Sequence, residues 1–265
     1  MKSYKKVQKT RIDYHDSPSE NTVHRSSLLV PKLEGTKSNI SFVNHFLIKR
    51  NIEEVSLKIS GTTKNGALIR SITLQIDEPR VYSIFLDDFF EDSEKVSLFI
   101  IEFYSVKNLF IPFPAVMVNH VGKDFVNCVH SYNRVVNDIF EDEEVNQKSV
   151  SESSFDVLVD NQYDTFFNLV SGPFKIDDNL NLSLKNNTRE IKTKVSIKQD
   201  RLSSENYYLG DLLKKTDTED SFLEQYKETV NISQPRQSLF YGRLLSGIIN
   251  KKTKSFSANH SYYDS

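Results

Sequence analysis

The chain has no tryptophan, one cysteine and only eight glycines among its 265 residues. A single cysteine, Cys128, excludes an internal disulfide, so stability must come from packing rather than covalent staples. So few glycines, without a period, exclude collagen-like and low-complexity chains. No window approaches the roughly 18 consecutive apolar residues that mark a membrane-crossing helix. The N-terminal MKSYKKVQKTRIDYHDSPSEN is basic but lacks the apolar stretch of a secretory leader, which sets a cytoplasmic location as the expectation. Neither sign of charge dominates, with 34 basic against 36 acidic residues and a net charge of -2. No global field gathers nucleic acid. The sequence also lacks G-x-S-x-G, G-x-G-x-x-G, Walker and H-E-x-x-H spacings. Nucleophile-elbow, nucleotide and zinc-protease chemistry have no handle, and no cofactor is expected.

What the sequence does have is bulk and alternation. Eighteen Phe and twelve Tyr, within 38% hydrophobic residues, supply a packed core. Val55-Ser-Leu57-Lys-Ile59 and Ile72-Thr-Leu74-Gln-Ile76 alternate apolar and polar residues, as half-buried strands do. Further along, Leu180-Asn-Leu182-Ser-Leu184 and Thr193-Lys-Val195-Ser-Ile197 repeat the pattern, with Lys192, Lys194 and Lys198 on the outer face. Tyr82 leads a strand into Asp87 and Asp88, and Tyr207 leads one into Asp211. Asp there fits the first turn of a short helix. Residues 109–132 lie over 239–262 at a constant offset of 130, with His-Ser-Tyr ending both and Pro112 opposite Gly242. Ordered correspondences of this kind indicate an internal repeat.

Strand candidates in the first half are 40–48, 53–60, 67–77, 80–86, 96–104, 108–118 and 124–135. Their short, even spacing indicates a two-sheet antiparallel sandwich. The expected fold is therefore all-β: two tandem antiparallel β-sandwich domains, immunoglobulin- or fibronectin-III-like, related by the repeat. The expected domains are a flexible tail (1–38), a first sandwich (39–137), an acidic, Ser-rich linker (138–153) and a second sandwich (154–265).

Candidate chemistry sits on the repeated motif. His130 and Tyr132 share one strand face, as do His260 and Tyr262. Each pair either presents an imidazole and a phenol to a ligand or stitches a sheet edge through hydrogen bonds. Arg236, Tyr241 and Arg243 add the Tyr and Arg favoured at recognition surfaces, and Ile111-Pro-Phe-Pro-Ala115 offers a stiff apolar segment. His120 and His130 flank a hairpin turn and, with Asp124 or Asp138, are the candidate metal ligands. The loop Asp160-Asn-Gln-Tyr-Asp164 is a weak calcium candidate. Cys128, inside Phe-Val-Asn-Cys-Val, is expected to be buried and inert. The functional expectation is a non-enzymatic recognition or scaffold protein for glycan or protein, without nucleic acid or a membrane span. The alternative is a metal-assisted hydrolase or lyase using His120 and His130.

Overall fold

The computed structural model describes residues 25–105, 107, 115–130, 134–135, 150–153, 157–172, 175–185, 190–214, 230–234, 239–241, 244–260 and 262–263. The first half contributes β1 (Arg25–Pro31), β2 (Lys37–Val43), helix α1 (His45–Arg50), β3 (Val55–Thr62), β4 (Leu68–Ile76) and β5 (Val81–Phe85). It continues with β6 (Leu98–Ser105), β7 (Met117–Val121), β8 (Val126–His130) and β9 (Arg134–Val135). The second half contributes β10 (Val150–Ser153), β11 (Tyr163–Val170), β12 (Ile176–Lys185), β13 (Glu190–Gln199), β14 (Ser204–Tyr208) and helix α2 (Leu209–Lys214). After these come β15 (Val230–Gln234), β16 (Leu239–Tyr241), β17 (Leu245–Asn250), β18 (Phe256–His260) and β19 (Tyr262–Tyr263). No helix among the described residues is long and apolar enough to cross a membrane.

The protein is all-β, with four small antiparallel sheets. Sheet I runs β16-β9-β1-β6-β3-β4 and sheet II runs β5-β2-β7-β8. Sheet III runs β14-β11-β17-β18 and sheet IV runs β19-β10-β15-β12-β13. Apart from β16, the order in sheet I matches that of sheet IV strand for strand, and sheet II matches sheet III. The registers agree as well. Phe42 pairs with Tyr82 across β2 and β5, and Phe167 with Tyr207 across β11 and β14. Both pairs stack, with centroids 5.3 Å apart and interplanar angles of 9° and 15°. A ring pair of this kind is worth about 0.5–1.5 kcal/mol beyond the area it buries.

Alternation explains the faces. Leu180, Leu182 and Leu184 of β12 are buried while Asn179 and Asn181 are exposed. Lys192, Lys194 and Lys198 of β13 point outward, as their spacing requires. The 40–48 run does not stay extended. Asn44 caps α1, its Oδ1 accepting from Leu47 N at 3.2 Å while its Nδ2 donates to Ile76 O and Glu78 O. A side-chain cap of that type ends the strand at Val43. Asp87 opens a short 3-10 turn and Asp211 lies in the first turn of α2.

The cores do not divide at the middle of the chain. One cluster joins Leu28, Leu57 and Phe103 of sheet I to Ile40, Phe42 and Val118 of sheet II. The same cluster takes in Phe166, Leu245, Ile249, Phe256 and Ala258 of sheet III. A second cluster joins Phe167 and Leu169 of sheet III to Leu180, Leu182 and Ile197 of sheet IV. Neighbouring residues Phe166 and Phe167 thus enter different cores, because successive side chains leave a strand on opposite faces. Sheet III is buried on both sides.

Three expectations are corrected. Residues 25–38, read as tail, form β1 and the start of β2, with Leu28, Leu29 and Val30 fully buried. Residues 150–153, read as linker, form β10 of sheet IV, while 138–149 lie outside the described residues. The strand order is not immunoglobulin-like. In that fold the first strand pairs with the second, whereas here β1 pairs with β6 and β9, and β2 with β5 and β7. Period-2 patterning fixes faces but carries no information on which strand lies beside which.

Candidate functional site

The outer face of sheet II is built from the polar half of each alternating strand. Ser83, Ser41, Met117 and His130 form one rung across β5, β2, β7 and β8. Phe85, Asn39, Asn119 and Cys128 form the next. Asn119 Nδ2 donates to Asn39 Oδ1 at 2.9 Å and to Ser41 Oγ at 3.0 Å. Asn39 Nδ2 donates to Ser83 Oγ at 3.2 Å. Amides and hydroxyls ordered by one another still present both donors and acceptors outward. Around them lie Val43, Val81, Phe85, Met117 and Val126, five of the eight large hydrophobic residues exposed among the described residues. Lys37, paired with Asp88 at 3.5 Å, is the one Lys or Arg at an outward position of the described strands of this sheet.

The matching face of sheet III has the opposite character. Taking the two Phe–Tyr stacks as the fixed point, Ser41 corresponds to Phe166, Ser83 to Tyr208 and Asn119 to Ile249. Phe166 and Ile249 are buried, and Tyr208 is partly buried against the same cluster. One face is apolar and covered, and its counterpart carries polar side chains, with Ser83 exposed, Ser41 and Asn119 half-buried and Asn39 buried.

The histidines of the repeated His-Ser-Tyr segments meet rather than superpose. His130 Nε2 lies 2.6 Å from His260 Nε2, with the rings 4.3 Å apart and T-shaped. One ring donates and the other accepts, so that contact needs at least one neutral imidazole. Nearby, Ala258 N donates to Asn127 Oδ1 at 2.8 Å, a second link between β8 and β18. The offset of 130 holds as far as β17 and then breaks at the turn. His120 pairs with Asn127, but Asn250 N donates to Ser255 O, so the second hairpin is two residues shorter. The ladder equivalent of His130 is therefore Ala258.

His120 and His130 do not converge. His120 points into the core with Val118 and Asn127, while His130 points out with Met117. Ring nitrogens on opposite faces of one sheet cannot share an ion, whatever Asp124 does. Among the described residues, no group of three or more His, Cys, Asp or Glu side chains is placed to hold a metal. The His120 ring is fully buried, and neither of its nitrogens has a hydrogen-bond partner among the described residues. Its rung-mates Ser38 Oγ and Asn127 Nδ2 are unpartnered too. Burial first, then the Lys32 ammonium, lowers the His120 pKa to about 3.

Other expected residues scatter. Tyr241 in β16 pairs with Arg134 at the edge of sheet I, and Tyr262 in β19 pairs with Ser153 in sheet IV. Tyr132, Arg236, Arg243, Asp138 and the Pro112–Gly242 pair lie outside the described residues. β18 pairs with β17, not with the 239–241 strand, which crosses to sheet I. Cys128 is exposed rather than buried, since Asn127 and Val129 on either side take the inward positions. At the 160–164 loop, Asp160 Oδ1 accepts from Gln162 N and Tyr163 N. Lys251 Nζ donates to Asp160 O at 2.6 Å and lies 4.0 Å from Asp164 Oδ2. Burial raises the Asp164 pKa, and its Oδ1 accepts from Gly210 N at 3.0 Å. Sequence reasoning missed Asn39, Ser41, Ser83 and Asn119. The available signal was polar residues on the outer half of strands 37–43, 81–85 and 117–121.

No family model matches the chain, and no curated protein matches it by sequence. A solved structure, a calcium-binding mutant of Bacteroides uniformis beta-glucuronidase 2, is similar to 93% of this chain at 9% identity and a TM-score of 0.19. The chain spans 27% of that protein's length. A likeness at that score carries no argument about fold or activity.

Proposed function

We propose that the chain is a non-enzymatic recognition protein of two related β-sandwich units, and that it binds carbohydrate through the outer face of sheet II. The observation that carries this reading is the contrast between the two matching faces. Where sheet III has Phe166, Tyr208 and Ile249 against a core, sheet II has Ser41, Ser83 and Asn119 facing out. Sugars pair hydroxyls with apolar C–H faces, which suits an amide–hydroxyl ladder bordered by Phe85 and Met117. Protein hot spots favour Trp, Tyr and Arg, and none of these points outward from the described strands of this face.

Asn119→Ala together with Phe85→Ala is expected to weaken glycan binding at least tenfold while leaving the melting temperature within a few degrees. Loss of the Asn119 amide, at about 0.5–1.5 kcal/mol per hydrogen bond, together with the apolar contact of the Phe85 ring, sets that scale. A glycan array followed by calorimetry reads the effect. A hit whose affinity ignores both substitutions would place the site elsewhere. Capture of a protein partner through this face, with no glycan hit, would replace carbohydrate with protein.

A further inference from the structure

The inner face of sheet II carries a run of buried polar atoms that the glycan reading does not use. Four such atoms without a hydrogen-bond partner among the described residues lie on one rung. They are Ser38 Oγ on β2, His120 Nδ1 and Nε2 on β7, and Asn127 Nδ2 on β8. Ser38 and His120 are 0% exposed and Asn127 is 7% exposed. Ser26 Oγ, Asn168 Oδ1 and Gln199 Oε1 are orphans of the same kind, but they fall one to a strand. An orphaned buried donor or acceptor carries the full penalty of its desolvation, so a cluster of four on adjacent strands calls for a ligand.

The surroundings define that ligand. Lys32 Nζ donates to Asp87 Oδ1 and to Thr36 O, and Asp87 Oδ2 accepts from Ser38 N at 2.6 Å. Those two charges are paired with each other, so the rung suits a neutral molecule rather than an ion. Burial keeps the His120 ring neutral, which makes one ring nitrogen a donor and the other an acceptor. Asn127 Oδ1 accepts from Ala258 N at 2.8 Å, which leaves Nδ2 as the free donor of that amide. The rung is closed at both ends and above. Leu86, 0% exposed, flanks it beyond Ser38, its N donating to Ser38 O at 2.9 Å. The Phe256 ring lies 6.1 Å from His120 and 4.9 Å from Phe125. Side chains facing each other on neighbouring strands stand about 4.5–5.5 Å apart at Cβ. One water spans such a gap with a hydrogen bond to each side, and a larger molecule does not fit it. The two ring nitrogens point in different directions, so a single water cannot serve both.

We infer that this rung is a binding site for two buried waters, one between Asn127 and His120 and one between His120 and Ser38. The first accepts from Asn127 Nδ2 and donates to the unprotonated ring nitrogen. The second accepts from the ring N–H and donates to Ser38 Oγ. Waters held by two or more polar partners in an interior are part of the structure and costly to remove. Asn39, Asn119 and Cys128 form the next rung on the opposite face, so the waters set the spacing of β2, β7 and β8 directly behind the amide ladder.

Nuclear magnetic resonance on the full chain at neutral pH tests this. Cross-relaxation between water and the His120 ring protons is expected, with the sign given by long-lived waters. Oxygen-17 relaxation dispersion counts such waters. Ser38→Ala is expected to lose one relative to the unsubstituted chain, and His120→Leu to lose both. His120→Leu should also lower the melting temperature by several degrees, because Ser38 and Asn127 lose their bridges. A dry rung gives the reverse: removing two orphaned ring nitrogens from it relieves their penalty and raises the melting temperature. Circular dichroism identifies a variant that has lost its fold, and Ser38→Ala, lacking only a hydroxyl, decides if His120→Leu has. Absence of water cross-relaxation at the His120 ring, an unchanged water count in Ser38→Ala, or a higher melting temperature in His120→Leu would each overturn the inference.

Discussion

Replacing Phe256 with alanine is expected to cost about 3–5 kcal/mol, the usual scale for a buried phenylalanine, and to move one cooperative transition rather than one of two. The Phe256 ring is 9% exposed, with its centroid 4.9 Å from Phe125, 5.6 Å from Phe166 and 6.1 Å from His120. Two of those partners belong to the first half and one to the second. Total stabilities of about 5–15 kcal/mol are ordinary, so the loss is a large share. Reading the sequence as separate domains leads to a different result, in which removing 256–265 unfolds the second half and spares the first. The shared core leads to a different expectation. The same deletion removes β18, the Ala258–Asn127 hydrogen bond and the His130–His260 contact, and is expected to open the first half as well. Urea unfolding followed by far-UV circular dichroism and tyrosine fluorescence distinguishes the two, there being no tryptophan. Two separate transitions, with only one displaced in Phe256→Ala, would show the halves to be independent.

Stability should fall with acid along a slope set by His120. Its folded pKa is about 3, lowered mainly by burial, against 6.5 for an ordinary imidazole. Above pH 6.5 the ring is neutral in both states, and its contribution is fully present. As pH falls from 6.5 toward 3, the unfolded chain takes up a proton that the folded chain refuses, and stability drops by about 1.4 kcal/mol per pH unit. His120→Asn removes that slope, and Asn250 already occupies the matching rung position of the second half. Between pH 6.5 and 4 the urea midpoint of the wild type should fall steadily relative to that of His120→Asn, and above pH 6.5 the difference between the two should be constant. Parallel curves would mean that His120 titrates normally in the fold.

Much of the local structure was legible. Leu180, Leu182 and Leu184 announced a buried face because a strand sends every second side chain the same way. Tyr82 and Tyr207 marked matching strands because each is followed by a turn that uses Asp. The candidate site was far less legible. Asn39, Ser41, Ser83 and Asn119 look like any polar residues of an alternating strand. Their hydrogen-bonded ladder exists only once β5, β2 and β7 lie side by side. Phe166 and Phe167 read as one apolar run, and nothing local says that each belongs to a different core.

The sequence by itself determined that the chain is built of alternating strands, that its two halves follow the same element order, and that it holds no apolar run long enough for a membrane-crossing helix. Those properties are written over a few residues at a time. Only the tertiary structure decided the strand order within the sheets, the burial of sheet III on both faces and the meeting of His130 with His260. These depend on contacts between residues far apart in the chain, such as Asn127 with Ala258, and no pattern along a single strand encodes them. The face of sheet II stays open for the same reason: whether an alternating strand's second face is covered is settled by what packs against it, not by the strand.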